Sequence, residues 1–207
     1  SKEFECEIRA KLPAEELLAT IHEYDGLVVR SASKVTKEVI EAATNSKVIG
    51  RAGVGVDNID IEAATAKGII VLNAPEGNTI AATEHTVAMM LSMARNIPQA
   101  HSSVQNGEWK RNQFVGVEMR GKTLGVIGLG RIGSGVAKRA IAFDMKVIGY
   151  DPYVNEERAK TMGIEVVSLE EIYANADFIS VHMPLTAQTK DLINSETISK
   201  MKDGVYL

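Results

Sequence analysis

Three of the four glycines in residues 122–133 (KTLGVIGLGRIG), Gly128, Gly130 and Gly133, stand in the order G-x-G-x-x-G directly behind an apolar run. That spacing has a definite chemical use. The first glycine permits a tight turn, the second lets backbone N–H groups approach a phosphate, and the third allows the next helix to pack on the strand behind it. An anion held there rests on a helix N-terminus. Taken alone, the glycines also fit a plain loop. The residues downstream of them favour a dinucleotide: 136–143 are helix-compatible, 146–150 (KVIGY) are a second short apolar run, and Asp151 closes it. Residues 122–151 therefore read as a β-α-β unit with a carboxylate at the end of its second strand.

A carboxylate at Asp151 can accept hydrogen bonds from both adenosine ribose hydroxyls and would repel a 2′-phosphate, which selects NAD over NADP. The same residue also suits an Asp-Pro turn with Pro152, and Arg158 nearby is a basic residue of the kind a 2′-phosphate would call for. The histidines offer no matching base. Glu84 and His85 are neighbours on a predicted helix and so point in different directions, His22 falls on a helix face, and His101 on a lid-like connection. His182 sits at a strand end. No catalytic residue and no metal ligand is assigned, because no Cys/His cluster has ligand spacing. The single cysteine, Cys6, cannot form an internal disulfide, which suits a reducing cytoplasm.

With 207 residues, 45% of them hydrophobic, and a net charge of −4, the chain can bury a substantial core. It has no basic patch, low-complexity tract, long apolar run or signal-peptide pattern, which argues against nucleic-acid and membrane partners. Upstream of the glycines, strand and helix patterns alternate: strands at 4–8, 26–30 (GLVVR), 47–50 and 69–72 (IIVL), and helices at 14–23, 36–44 and 61–67. Such alternation predicts an α/β chain with parallel sheets covered by helices. Two domains are expected, residues 1–75 and 76–207, joined by a long apolar helix over 79–95 whose Met89, Met90 and Met93 serve packing. A ligand would occupy the cleft between them.

Several longer motifs carry a family resemblance: residues 28–35 (VVRSASKV), 50–59 (GRAGVGVDNI), 73–86 (NAPEGNTIAATEHT), 97–109, 122–133, 150–152 and 181–185 (VHMPL). Over essentially its whole length the chain resembles the D-isomer-specific 2-hydroxyacid dehydrogenases, and VVRSxxKV with GRAGVGVDN resembles their phosphoglycerate branch more than the formate, glycerate or lactate branches. The resemblance implies two Rossmann/flavodoxin-like parallel-sheet domains, the second binding NAD. It also implies oxidation of 3-phosphoglycerate to 3-phosphohydroxypyruvate in serine biosynthesis, and a homodimer or higher homo-oligomer. Another D-2-hydroxyacid dehydrogenase, or an NAD-sensing corepressor-like module, would reuse the same scaffold.

Carried onto this sequence, the resemblance places Arg30 and Arg51 in the cleft, with Ser31, Gly53 and Val54 in loops around the substrate and Asn78 near its phosphorylated end. A substrate bearing a carboxylate and a phosphate calls for guanidinium donors and free backbone N–H groups, which the glycine-rich loop at 53–55 could present. Arg30 and Arg51 are equally compatible with solvent-facing strand ends, and Arg51 with bracing a hinge. On the cofactor side, Arg131 and Ile132 join Gly128, Gly130 and Gly133 at the pyrophosphate and Asp151 takes the ribose. His182, Met183 and Pro184 line the adenosine side, and Val54 touches the nicotinamide half. Ser33, Ala81 and Met183 depart mildly from the family pattern. The family's histidine base, its orienting glutamate and its carboxylate-gripping arginine would lie beyond a strand beginning at 204–207, and a strand and helix would precede Phe4. The resemblance thus implies a chain lacking both ends of the enzyme and inactive alone.

Overall fold

The computed structural model describes residues 4–10 and 12–207, in two compact units, Ser1–Asn78 and Thr79–Leu207. In the first unit, α1 (Ala14–Thr20) tightens into a 3-10 turn (Ile21–Glu23) and is followed by β1 (Gly26–Val29), α2 (Lys37–Ala42), β2 (Val48–Arg51), α3 (Ile61–Ala66) and β3 (Ile70–Asn73). The strands form a parallel sheet in the order β1-β2-β3, with Val28 opposite Gly50 and Gly50 opposite Leu72. Period-two alternation turns Val29 and Ile49 inward, where Leu17 and Ile21, Val39 and Ile40, and Ala64 from the three helices meet them. Helix ends are satisfied by side chains. Asp60 caps α3 by accepting from the Ala63 N–H at 2.9 Å, and the Lys67 ammonium donates to the Ile40 and Glu41 carbonyls at 2.7 and 2.6 Å.

The strand expected at 4–8 does not form. Phe4 and Ile8 are 70% and 93% exposed, so that segment buries little of its apolar surface, and a strand without such burial is marginal in water. Side chains tether the segment instead: the Glu7 carboxylate accepts from Arg9 Nε at 2.6 Å and from the Tyr24 hydroxyl.

The second unit runs α4 (Thr79–Ala94), α5 (Ile97–Gln105), a 3-10 turn (Arg111–Phe114), β4 (Thr123–Ile127), α6 (Arg131–Ala142), β5 (Lys146–Tyr150), α7 (Glu156–Thr161), β6 (Glu165–Val166), α8 (Leu169–Asn175), β7 (Phe178–Val181) and α9 (Ser195–Ser199). Its parallel sheet has the order β6-β5-β4-β7. The chain thus builds outward from β4 on one side and then returns to its other side, which makes the carboxyl end of β4 a topological switch point. Leu124 and Val126 pack with Met90, Val136, Ala137 and Ala140 on one face, while Ile127 packs with Ile172 and Ala176 on the other.

The long helix expected at 79–95 forms as α4 within the second unit, its buried Thr83 lying where a Cβ on Gly135 of α6 would come within 2.8 Å of the hydroxyl. One expectation changes here. The lid-like connection carrying His101 is helix α5. Asn96, in the left-handed region at φ 53°, separates it from α4, and a proline in its first turn suits a helix start. At the far end, 204–207 contributes one parallel bridge, Phe178 to Tyr206, with the two rings stacked at 4.6 Å.

Helix α8 reaches β4 over Gly125, where a Cβ would lie 2.6 Å from Ile172 Cγ2 and 3.1 Å from Ala176 Cβ. Gly125→Val should destabilise the chain by about 1–3 kcal/mol through overpacking, read as a lower urea midpoint. In combination with Ile172→Ala the two losses should sum to less than their separate values.

Candidate functional site

Strand β4 is buried along its length and delivers the chain into Gly128, whose φ of +97° disfavours any side chain. A Cβ there would also lie 2.8 Å from the carbonyl carbon and oxygen of His182. Gly133, in the first turn of α6, would place a Cβ 1.9 Å from the Gly128 carbonyl oxygen, so α6 starts in direct backbone contact with the turn. Gly130 is different. It caps α6 with φ −64°, and a Cβ on it would meet nothing within 4 Å. Neither backbone conformation nor packing demands glycine at that position, and the space above the helix start is open. Exposed Arg131 and half-buried Ile132 are the first two residues of this twelve-residue helix, whose opening N–H groups and dipole favour an anion.

Asp151, at the end of β5, is latched to the same turn. One carboxylate oxygen accepts from the Leu129 N–H at 2.9 Å and the other from the Tyr153 N–H, also at 2.9 Å. The turn leaves each carboxylate oxygen a second lone pair that a hydroxyl donor could use. Arg158 sits exposed on α7, where its backbone N–H is capped by Asn155.

On the other side of β4, the His182 N–H donates to the Ile127 carbonyl at 2.7 Å, which carries the β7 ladder past the strand end and lays His182 and Met183 against Gly128. The Met183 side chain packs with the cluster around Ile127 and Ile172, and the Pro184 carbonyl accepts from the Thr189 hydroxyl at 2.5 Å. His182 Nε2 shares a hydrogen bond with Ser180 Oγ at 2.9 Å, and burial pushes its pKa below the ordinary histidine value. The structure thus brings Gly128, Gly130, Arg131, Ile132, Gly133, Asp151, His182, Met183 and Pro184 together at the carboxyl ends of β4, β5 and β7.

In the first unit Arg30 and Ser31 lie just past β1 and are exposed, and half-buried Arg51 ends β2. Arg51 Nε donates to Asn58 Oδ1 at 3.4 Å, and its Nη1 occupies the space where a Cβ on Gly53 would be, 1.8 Å away. Val54 is held by Asn73, whose amide donates to its carbonyl at 2.7 Å. Asn78 is exposed and, among the described residues, takes no part in these hydrogen bonds. Sequence reasoning missed Asn58 and Asn73. Their signal was an amide, donor and acceptor together, at the end of a glycine-rich loop and of a strand. Of the histidines, His22 lies 3.9 Å from Glu23 with both side chains more than half exposed, while His85 on α4 and His101 on α5 are exposed.

The lowered pKa of His182 sets a pH dependence with a definite sign. Its folded value lies below the unfolded one, so the unfolded chain takes up the proton first. This contribution to stability is full above the unfolded value near 6.5 and is lost as pH falls through it, levelling off below the folded value. His182→Gln should flatten the fall in stability below that pH relative to the parent, measured by urea unfolding across a pH series.

Comparison with known proteins accords with this geometry. Residues 87–207 match the family model described as D-isomer specific 2-hydroxyacid dehydrogenase, NAD binding domain. The chain is 54% identical over 203 residues to a D-3-phosphoglycerate dehydrogenase from Archaeoglobus fulgidus, covering 98% of this chain and 38% of that protein. It is 56% identical over 187 residues to a D-3-phosphoglycerate dehydrogenase from Bacillus subtilis, covering 90% of this chain and 36% of that one, so it spans well under half the length of these relatives. Among solved structures, the D-lactate dehydrogenase from Aquifex aeolicus complexed with NAD and lactic acid superposes with a TM-score of 0.83 at 37% identity, over 95% of this chain and 58% of that one. The TT0316 protein from Thermus thermophilus gives a TM-score of 0.86 at 36% identity, over 94% and 62% of the two chains. The chain belongs to the D-isomer specific 2-hydroxyacid dehydrogenase family, and the glycine turn at the end of β4 lies within its NAD-binding domain.

Proposed function

We propose that this chain is part of an NAD-dependent phosphoglycerate dehydrogenase that oxidises 3-phosphoglycerate to 3-phosphohydroxypyruvate in serine biosynthesis. The observation that carries the cofactor half is Gly130, at the N-cap of α6, where no positive φ and no neighbouring atom requires glycine and a phosphate on the helix start would need the open space. In this reading the start of α6, with Arg131 and Ile132, neutralises the pyrophosphate, Asp151 accepts from the ribose hydroxyls, and residues 182–184 line the adenosine. NAD held there would supply a hydride acceptor for C2 of the hydroxy acid. Arg30 and Arg51 supply bidentate donors for the carboxylate and phosphate, Ser31, Gly53 and Val54 surround the substrate, and Asn78 meets its phosphorylated end. Residues 1–75 are accordingly the substrate domain and residues 76–207 the NAD domain. The choice of 3-phosphoglycerate rests on the identity to curated phosphoglycerate dehydrogenases.

The exposed apolar residues Met89, Ile97, Val104, Trp109 and Val115 along α4, α5 and the segment after them support a second copy of the chain as partner. Lone Cys6 and the absence, among the described residues, of a helix long and apolar enough to cross a membrane agree with a cytoplasmic location.

Fluorescence titration of the chain should show NADH bound at least about tenfold more tightly than NADPH, ~1.4 kcal/mol of discrimination. Gly130→Val should weaken both with only a small fall in melting temperature, because its new side chain meets open space and costs little beyond the N-cap preference. Equal or reversed preference would overturn the role of Asp151. Assayed with NAD, a protein of the relatives' full length should oxidise 3-phosphoglycerate in preference to D-lactate or D-glycerate. The 207-residue chain alone should give no turnover, since positioned general acid-base catalysis alone contributes about 10²–10⁴-fold. None of His85, His101 and His182 here is paired with a carboxylate among the described contacts.

A further inference from the structure

Asn58 joins three pieces of the first unit that the functional reading needs in one place. Its amide nitrogen donates one hydrogen to the Arg30 carbonyl at 3.0 Å and the other to the Ser33 carbonyl at 2.6 Å. Its amide oxygen accepts from Arg51 Nε at 3.4 Å. Both N–H groups and the carbonyl are thereby engaged, and its backbone carbonyl accepts from the Val35 N–H at 2.8 Å as well. One half-buried side chain thus closes the turn after β1, fixes the stem of the arginine that ends β2, and anchors the loop between β2 and α3.

The consequences fall on the two arginines. Arg30 sits on a turn whose carbonyls at both ends are drawn to Asn58, so the direction in which its own side chain leaves the backbone is set there. Arg51 is tied through Nε, which leaves its Nη groups outside this bond, and it lies flat along Gly53 where any Cβ would collide with it. Long cationic side chains lose rotamer freedom when they grip an anion, and a scaffold that orders them beforehand removes that cost from binding.

We propose that Asn58 is a positioning residue for the anionic substrate: it holds the Arg30 turn and the Arg51 side chain at a fixed spacing so that a phosphorylated hydroxy acid meets both guanidinium groups already arranged. This rests on the reading of Arg30 and Arg51 as substrate-binding residues. Asn58→Asp separates this role from a plain loop staple. It keeps the acceptor for Arg51 but loses both donations to carbonyls, and it adds a negative charge beside the arginine.

The test uses the full-length dehydrogenase and reads KM for 3-phosphoglycerate, KM for NAD and melting temperature. Asn58→Ala should raise KM for the hydroxy acid about tenfold, well inside the effect that an ångström of misplacement can have, with KM for NAD unchanged within about twofold. Asn58→Asp should raise it further. Should Asn58→Ala fail to fold, Asn58→Ser, which retains a hydroxyl donor, carries the same readout with a smaller rise. If the two KM values move together with melting temperature, or neither moves, Asn58 is a staple only and the proposal is overturned. Arg30→Ala keeps this distinct from failure of the functional reading. If it too leaves KM for the hydroxy acid unchanged, the substrate assignment itself is wrong. If it raises that KM while Asn58→Ala does not, only the positioning role falls.

Discussion

A helix that must point its first turn at a ligand has to start close to the strand that delivers it, and in the second unit that closeness is set by one backbone contact. The Gly133 Cα side faces the Gly128 carbonyl so tightly that a Cβ would come within 1.9 Å of it. Because α6 begins there, its amphipathic face lands on Leu124 and Val126 with Val136, Ala137 and Ala140 buried beneath it, and α4 stacks on its outer side through Thr83. The helix axis, and with it the dipole, is therefore aimed along the carboxyl end of β4 by packing, before any ligand arrives. The strands on either side obey the same limit: Asp151 reaches back to the Leu129 amide from β5, and the His182 backbone closes over Gly128 from β7.

That part of the molecule was legible in the sequence because each requirement falls on a residue type with few substitutes. A left-handed turn, a close backbone approach and an acceptor at a strand end read as glycine, glycine and aspartate at a set spacing, and the buried strands read as short apolar runs. What was not legible depends on partners far apart in the chain. Residues 4–8 alternate as a strand does, yet a strand exists only where a neighbour accepts its ladder and a face covers its apolar side. Residues 97–105 carry few large apolar side chains, and whether Asn96 takes the left-handed region, which lets the chain turn before starting a new helix, depends on the packing on either side of it. Asn58 is the clearest case. Its three partners lie up to 28 residues away, and an isolated asparagine after a glycine-rich loop does not reveal them.

The first unit handles charge differently from the second. At the glycine turn, positive potential comes from backbone dipoles and is present whatever the side chains do. Around Arg30 and Arg51 it comes from flexible side chains, which must be ordered by something else. Neutral amides supply that order in the loop between β2 and α3, from Asn58 within the loop on the arginine side and from Asn73, at the end of β3, on the Val54 carbonyl. Neutral amides suit this task because they hold carbonyls and a guanidinium stem without cancelling the charge that an anion would seek.

The latch made by Asp151 has an evolutionary consequence. The carboxylate that would exclude a 2′-phosphate is also the group that ties Leu129 of the glycine turn and Tyr153 after β5 into one piece. On the proposed reading, replacing it by a small neutral residue would relieve the repulsion and loosen the glycine turn in a single step, so the gain for one dinucleotide would arrive with a loss for both. A lineage moving from one cofactor to the other would first need a neutral change that ties down the turn by other means, and only then could the aspartate be exchanged. The side chain is pleiotropic, and the order in which substitutions become permissible is written into its two hydrogen bonds.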